Sequence, residues 1–155
     1  MPNIQWEVKS FNQLSVDKLF ECLQLRIDVF VVEQQCAYRE LDEHDRHSET
    51  RHLSAYDEAG QLIAYARLLP PGLRYAESNL GRFVVRAGSR KQGIGHQLLQ
   101  TALREISDCW PNSSLRISAQ GYLQEFYEQT GFVCQSEVYL EDGIPHVEMV
   151  KESAS

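Results

Sequence analysis

The first residues alternate: Ile4, Trp6 and Val8 are apolar while Gln5, Glu7 and Lys9 are polar, the period of two that a half-buried strand requires. From Val16 the period lengthens. Leu19, Phe20, Leu23, Ile27, Phe30 and Val31 recur at three- and four-residue intervals behind Ser15, which is placed to cap the start. That spacing predicts a long helix ending near Glu33. No period survives from Gln34 to Thr50, which reads as a loop or a short broken helix, and a loop of that length suggests function. His52 to Tyr56 and Gln61 to Leu69 flank Asp57-Glu58-Ala59-Gly60, the chemistry of a hairpin turn.

Pro70-Pro71-Gly72 ends the second strand of that hairpin, and Leu80 to Val85 is a further apolar run. Ile94, Leu98, Leu99, Ala102, Leu103 and Ile106 then mark one face of a helix that stops before Trp110-Pro111. Leu115 to Gln120 reads as a strand and Tyr122 to Gln129 as a short helix stopped at Gly131. Phe132 to Leu140 and His146 to Lys151 read as two closing strands. The predicted order is β-α-β-β-β-α-β-α-β-β, an α/β (α+β) arrangement without internal repeats.

At 155 residues and 43% hydrophobic, the chain can close one substantial core, so one domain over residues 1–155 is expected. No stretch approaches the roughly 18 apolar residues of a membrane span, and Met1 to Trp6 lacks the basic start and apolar run of a signal peptide. A soluble, cytoplasmic protein is expected. Cys22, Cys36, Cys109 and Cys134 form no C-x-x-C pair, which argues for free thiols over a zinc site or a disulfide framework.

The net charge of −7 argues against nucleic acid or anionic membrane as a partner. Its distribution is uneven. Acid gathers at Glu40, Asp42, Glu43 and Asp45, whereas Arg82, Arg86, Arg90 and Lys91 fall within ten positions. The acidic run is expected to border the opening for a cationic ligand, opposite a basic side for an anionic one.

Arg90-Lys91-Gln92-Gly93-Ile94-Gly95 lies where a strand feeds a helix. A helix start leaves its first N–H groups unpaired and carries about half a positive elementary charge, so it can accept a pyrophosphate. Glycines there let the backbone approach closely. The spacing is neither the G-x-G-x-x-G of a dinucleotide fold nor the G-K-[ST] ending of a P-loop.

About thirty residues on stands Phe126-Tyr127-Glu128-Gln129-Thr130-Gly131-Phe132. R-x-x-G-x-G followed by F-Y-x-x-x-G-F, in this order of elements, resembles the Gcn5-related N-acetyltransferase (GNAT) superfamily over essentially Ile4 to Met149. Phe30-Val31-Val32-Glu33-Gln34, Ala119-Gln120 and Glu141-Asp142-Gly143-Ile144-Pro145-His146 resemble its ElaA group. The resemblance implies a mostly antiparallel sheet flanked by helices, parallel only where the strands ending at Val85 and Gln120 diverge to admit acetyl-CoA, the co-substrate. It also implies a primary amine as acceptor, on a small molecule or a peptide, and direct attack of that amine on the thioester.

Residue by residue, Phe83, Val84 and Val85 match the strand that bonds pantetheine. Arg90, Lys91, Gln92, Gly93, Ile94, Gly95 and His96 match the pyrophosphate cradle. Gln120 stands where many relatives have an asparagine that touches the cofactor. Tyr127 matches the catalytic tyrosine that protonates the departing thiolate, and Phe126 is expected to face elsewhere. A phenol with pKa near 10 suits a thiol with pKa near 8.5.

Glu33, Asp42, Asp45, His52 and His146 are the candidates for a general base, with a water chain as the alternative. His44-Asp45-Arg46-His47 is not a metal motif, and no metal is expected. Arg26, Asp42, Asp45, Arg67 and Arg82 also resemble positions of acyl-homoserine lactone synthases, a branch of the same fold. Asn79, however, stands where those enzymes carry a glutamate, and an ion-pair scaffold under the loop is the favoured reading. A non-catalytic acyl-CoA sensor is the remaining alternative, and a homodimer is left open.

Overall fold

The computed structural model describes residues 3–153. β1 (Gln5–Lys9) leads to α1 (Val16–Ile27), where the Ser15 hydroxyl accepts from the Lys18 amide at 3.1 Å and caps the helix. The helix does not end there: Asp28–Glu33 continue it as a π-helix. β2 (Arg51–Tyr56) and β3 (Leu62–Leu69) form the expected hairpin. Asp57 Oδ1 fixes their turn by accepting from the amides of Ala59 at 3.0 Å and Gln61 at 2.9 Å.

β4 (Ser78–Val85), α2 (Ile94–Cys109) and β5 (Leu115–Gln120) follow. A 3-10 turn (Gly121–Leu123) then opens the short α3 (Gln124–Glu128). The stretch expected as one strand from Phe132 to Leu140 is two, β6 (Val133–Cys134) and β7 (Tyr139–Glu141). Ser136 interrupts them, because its hydroxyl accepts the Glu148 amide at 2.9 Å in place of a backbone carbonyl. β8 (Ile144–Lys151) completes the mixed sheet, ordered β1-β2-β3-β4-β5-β8-β6 with β7 also on β8.

Every pairing is antiparallel except β4 with β5, which is parallel at only Ser78↔Leu115 and Asn79↔Arg116. Asn79 Nδ2 donates to the Arg116 carbonyl at 2.8 Å where the pairing ends. Beyond it β4 bends away. Tyr65 pairs with Val84 and Arg67 with Gly81, so β4 carries one residue more than β3 over this step. Such an extra residue kinks a strand and sharpens its twist. Arg82 sits in the bulge at φ 49°, in left-handed space that costs a non-glycine residue about 1–2 kcal/mol.

The two sheet faces bury separate clusters. α2 packs Ile94, Leu98, Leu99, Ala102 and Ile106 on Leu53, Ala64, Ala66, Leu80, Ile117, Val147 and Met149. On the opposite face, Cys22, Leu25 and Val29 of the first helix meet Tyr56, Leu62, Tyr65 and Val84. No helix among the described residues is long and apolar enough to cross a membrane.

Candidate active site

Where β4 and β5 part, the sheet is perforated. A cavity of 880 Å³ runs through the gap, lined from the α2 face by Gly95, Phe126 and Tyr127 and from the α1 face by Val29, Phe30, Gln34 and Tyr38. Phe83, Val84 and Val85 form one wall, and Ser118, Ala119 and Gln120 face them across the gap. Alternation along β4 puts Phe83 and Val85 on the α2 side and Val84 on the α1 side. All three expose backbone that β5 does not pair.

The start of α2 closes one end. Gly93 is its N-cap at φ 78°, no side chain caps the helix, and the first turn holds no acid. The leading amides are thus left for an anion. A Cβ on Gly95 would meet only Phe126 at 3.9 Å and Val85 at 4.0 Å, ordinary contacts. The protein's own packing therefore does not demand a glycine there, whereas the close approach of a ligand would. Ile94 is buried in the core, and the side chains of Lys91, Gln92 and His96 are exposed beyond the cavity wall.

Arg90 lines the cavity but is already engaged: Nη1 and Nη2 hold Glu33 at 2.8 and 3.1 Å, and Nε donates to the Val85 carbonyl at 3.0 Å. The pair is more than a third exposed, so it is worth at most about 1 kcal/mol. Gln120 is likewise paired, its amide exchanging two 3.3 Å hydrogen bonds with that of Gln34. The end of the π-helix thus touches both sides of the cleft.

Tyr127 is 5% exposed and edge-packed on Phe132 at 5.5 Å and Phe83 at 6.0 Å. Burial pushes its phenol well above the usual range, so the group keeps its proton at neutral pH. Phe126 does not face elsewhere, as sequence suggested. Its ring lies 5.2 Å from Tyr127, 5.9 Å from Phe83 and 4.9 Å from His96. Both aromatics of α3 line the cavity although an α-helix sets consecutive side chains about 100° apart.

Most of the acidic run is not free to receive a cation: Asp42 lines the cavity, but it is paired with Arg67. Glu40 and Asp45 are 4% and 5% exposed and bound by arginines. Arg26 bonds Glu40 through Nε and reaches Asp45 at 2.8 and 3.3 Å; Arg67 donates to Asp42 at 2.8 Å and Asp45 at 3.1 Å. Arg82 donates to the Glu40 carboxylate at 3.0 Å and to its carbonyl at 2.9 Å. Three guanidinium groups thus meet three carboxylates, while Glu43 of the same run stays exposed and pairs with Arg46 at 2.7 Å. This is the ion-pair scaffold, and it pins the loop that carries Tyr38 and Asp42 to the cavity.

All five candidate bases have partners within the chain. Glu33 is held by Arg90, and Asp42 and Asp45 by the scaffold. His52 has Nδ1 2.6 Å from the Tyr65 hydroxyl and Nε2 3.0 Å from the Asp45 carbonyl, and burial lowers its pKa. His146, on the cavity wall, has Nδ1 2.7 Å from the Ile144 carbonyl and Nε2 3.5 Å from Glu141. The cysteines are free, and no group of three His, Cys, Asp or Glu among the described residues could hold a metal.

The acetyltransferase (GNAT) domain model matches residues 18–153. Escherichia coli protein ElaA is 38% identical over 149 residues, spanning 96% of this chain and 97% of its own. Its crystal structure superposes with a TM-score of 0.91 over 97% of this chain and all of that one. An acyl-CoA N-acyltransferase from Pseudomonas aeruginosa also gives a TM-score of 0.91, at 43% identity, over 96% of this chain and 99% of that one. An aminoglycoside 6'-N-acetyltransferase complexed with coenzyme A shares the fold alone, at 15% identity and a TM-score of 0.71, over 94% of this chain and 96% of that one. A parted parallel strand pair, an uncapped helix start and a matched family model agree: the chain belongs to the GNAT acetyltransferase family, in its ElaA-like group.

Proposed function

We propose that the chain is an acetyl-CoA-dependent N-acetyltransferase that acts on a primary amine by direct attack. The observation that carries this is the passage through the sheet between β4 and β5, with the anion-accepting start of α2 and Tyr127 on one face. The coenzyme A held by the low-identity fold relative supports the choice of thioester donor. The amides of Gly95 and His96 would take the pyrophosphate, helped by Arg90 once Glu33 releases it. Backbone groups of Phe83 to Val85 would pair with pantetheine where β5 leaves them open.

The acyl thioester carbonyl then lies in the gap, reachable by an amine from the α1 face, so donor and acceptor meet without sharing an opening. Tyr127 gives its proton to the departing sulfur. Burial keeps that proton in place until a thiolate forms beside it.

The test is to mix the protein with acetyl-CoA and a panel comprising a polyamine, an amino sugar, an amino acid, a peptide N-terminus and a lysine side chain, and to follow free thiol. Amine-dependent release is expected for at least one class. Saturable acetyl-CoA binding with no release for any amine would favour a sensor, and no binding at all would remove the cradle.

A further inference from the structure

A second cavity, of 640 Å³, lies between α1 and the loop that carries Tyr38 and Asp42. Among the described residues it shares only Arg39 and Asp42 with the cleft. Phe11, Leu19, Leu23 and Leu41 line it, and none of the four belongs to either core cluster. The first three are half-buried and Leu41 is 45% exposed. Apolar side chains from three separate segments thus face one space that the protein does not fill. The turn Phe11–Gln13 lies against the turn Glu43–Arg46, so the wall is continuous there.

The floor is polar by residue type but offers nothing to a polar ligand. The Arg26 guanidinium is taken up by Glu40 and Asp45, and both ring nitrogens of His52 are engaged. Cys22 Sγ sits 3.5 Å from the Ser54 hydroxyl. A cavity so lined holds water poorly, and a ligand gains by covering its apolar walls.

The charges at the rim do not cancel. Asp42 is answered by Arg67 at 2.8 Å and Glu43 by Arg46 at 2.7 Å. Arg39 is exposed and, among the described residues, has neither an ion pair nor a hydrogen bond. One positive charge is left over beside an apolar hollow. The chain's net charge of −7 opposes an anion from a distance, but salt screens exposed charges beyond roughly 10 Å, so the local surplus decides.

We infer that this cavity binds a small hydrophobic carboxylate of the fatty-acid kind. Its alkyl chain lies against Phe11, Leu19, Leu23 and Leu41, and its carboxylate meets the Arg39 guanidinium, whose fork can donate two parallel N–H bonds to the two oxygens. A concave, mostly apolar space of this size with one charged group at its edge is the usual make-up of a small-molecule site. Acyl transfer in the cleft is not needed for it.

The probe is octanoate, with neutral octanol of the same length as its control, each titrated by calorimetry into the native protein, Arg39→Gln and Leu41→Asn with no acetyl-CoA present. Both substitutions change exposed side chains, and circular dichroism checks that the variants are folded. The native protein should show one saturable site for octanoate. Arg39→Gln should weaken octanoate about fivefold, the worth of an exposed charge pair, and leave octanol unchanged. Leu41→Asn, which lines this cavity and not the cleft, should weaken both about three- to tenfold. The absence of saturable octanoate binding to the native protein overturns the inference. So does an octanoate affinity that Leu41→Asn leaves unchanged, which would put the acid elsewhere. An Arg39→Gln variant that binds octanoate as the native protein does overturns the choice of a carboxylate.

Discussion

Replacing Asp45 with asparagine tests whether the buried scaffold holds the cavity loop. Asp45 Oδ1 accepts from Arg26 at 2.8 Å and Arg67 at 3.1 Å, and Oδ2 accepts from Arg26 at 3.3 Å and the Asp42 amide at 3.0 Å. Asparagine fills the same space, yet it turns an NH₂ toward groups that can only donate and leaves three guanidiniums facing two carboxylates. Arg67 Nε is already without a partner, so the site has no spare acceptor. Removing one member of a buried ion pair costs about 3–5 kcal/mol. For a chain of this size that lowers Tm by roughly 6–20 °C.

The pH dependence has a definite sign. Burial alone would raise the Asp45 pKa, but the Arg26 hydrogen bond, the charges of Arg26 and Arg67 and the Asp42 amide outweigh it and hold the carboxyl well below the usual range. A folded pKa below the unfolded value of about 3.9 gives stability that is fully present above it and is lost as pH falls further. Urea unfolding of both proteins at pH 7 and pH 3 is the assay. The gap between them should be wide at pH 7 and narrower at pH 3. A difference under about 1 kcal/mol at pH 7 would refute the scaffold's energetic role.

Tyr127→Phe keeps the ring packing and removes the proton. Acetyl-CoA affinity should persist while kcat falls about 10²- to 10⁴-fold, and native turnover with chemistry shown to be rate-limiting would leave Tyr127 as packing. Gly95→Ala should leave the Tm of the free protein nearly unchanged, since its Cβ meets only contacts near 4 Å, yet reduce the roughly 2.7 kcal/mol of stabilisation expected at 100 times Kd for acetyl-CoA. Thermal shift with and without ligand measures both. Glu33→Gln removes the competitor for Arg90 and should tighten acetyl-CoA by up to about fivefold, read by calorimetry at low salt. Weaker binding would mean that Glu33 positions Arg90 instead.

Elements with an uninterrupted period were legible in the sequence. β5 falls at Leu115–Gln120 as read, and α1 and α2 start where the spacing and Ser15 put them. A misreading arose where a side chain replaced a backbone partner, as Ser136 does between β6 and β7. The charge map failed for a similar reason. Glu40, Asp42 and Asp45 look like a surface run, but Arg26, Arg67 and Arg82 are 14 to 42 residues away from Glu40 or 19 to 22 from Asp45, and no local pattern reports pairs at such separations.

The π-helix at Asp28–Glu33 shows how one local irregularity can link the two walls of the cleft. An ordinary α-helix rotates about 100° per residue, whereas the wider turn changes the direction in which its final side chains leave. Glu33 reaches Arg90 beside the start of α2, and the next residue, Gln34, reaches Gln120 at the end of β5. Consecutive residues thus bridge to the α2 loop and to the strand that carries the acceptor wall. On the proposed reading of the α2 start, a phosphate taking Arg90 would free Glu33 and leave the Gln34–Gln120 pair in place.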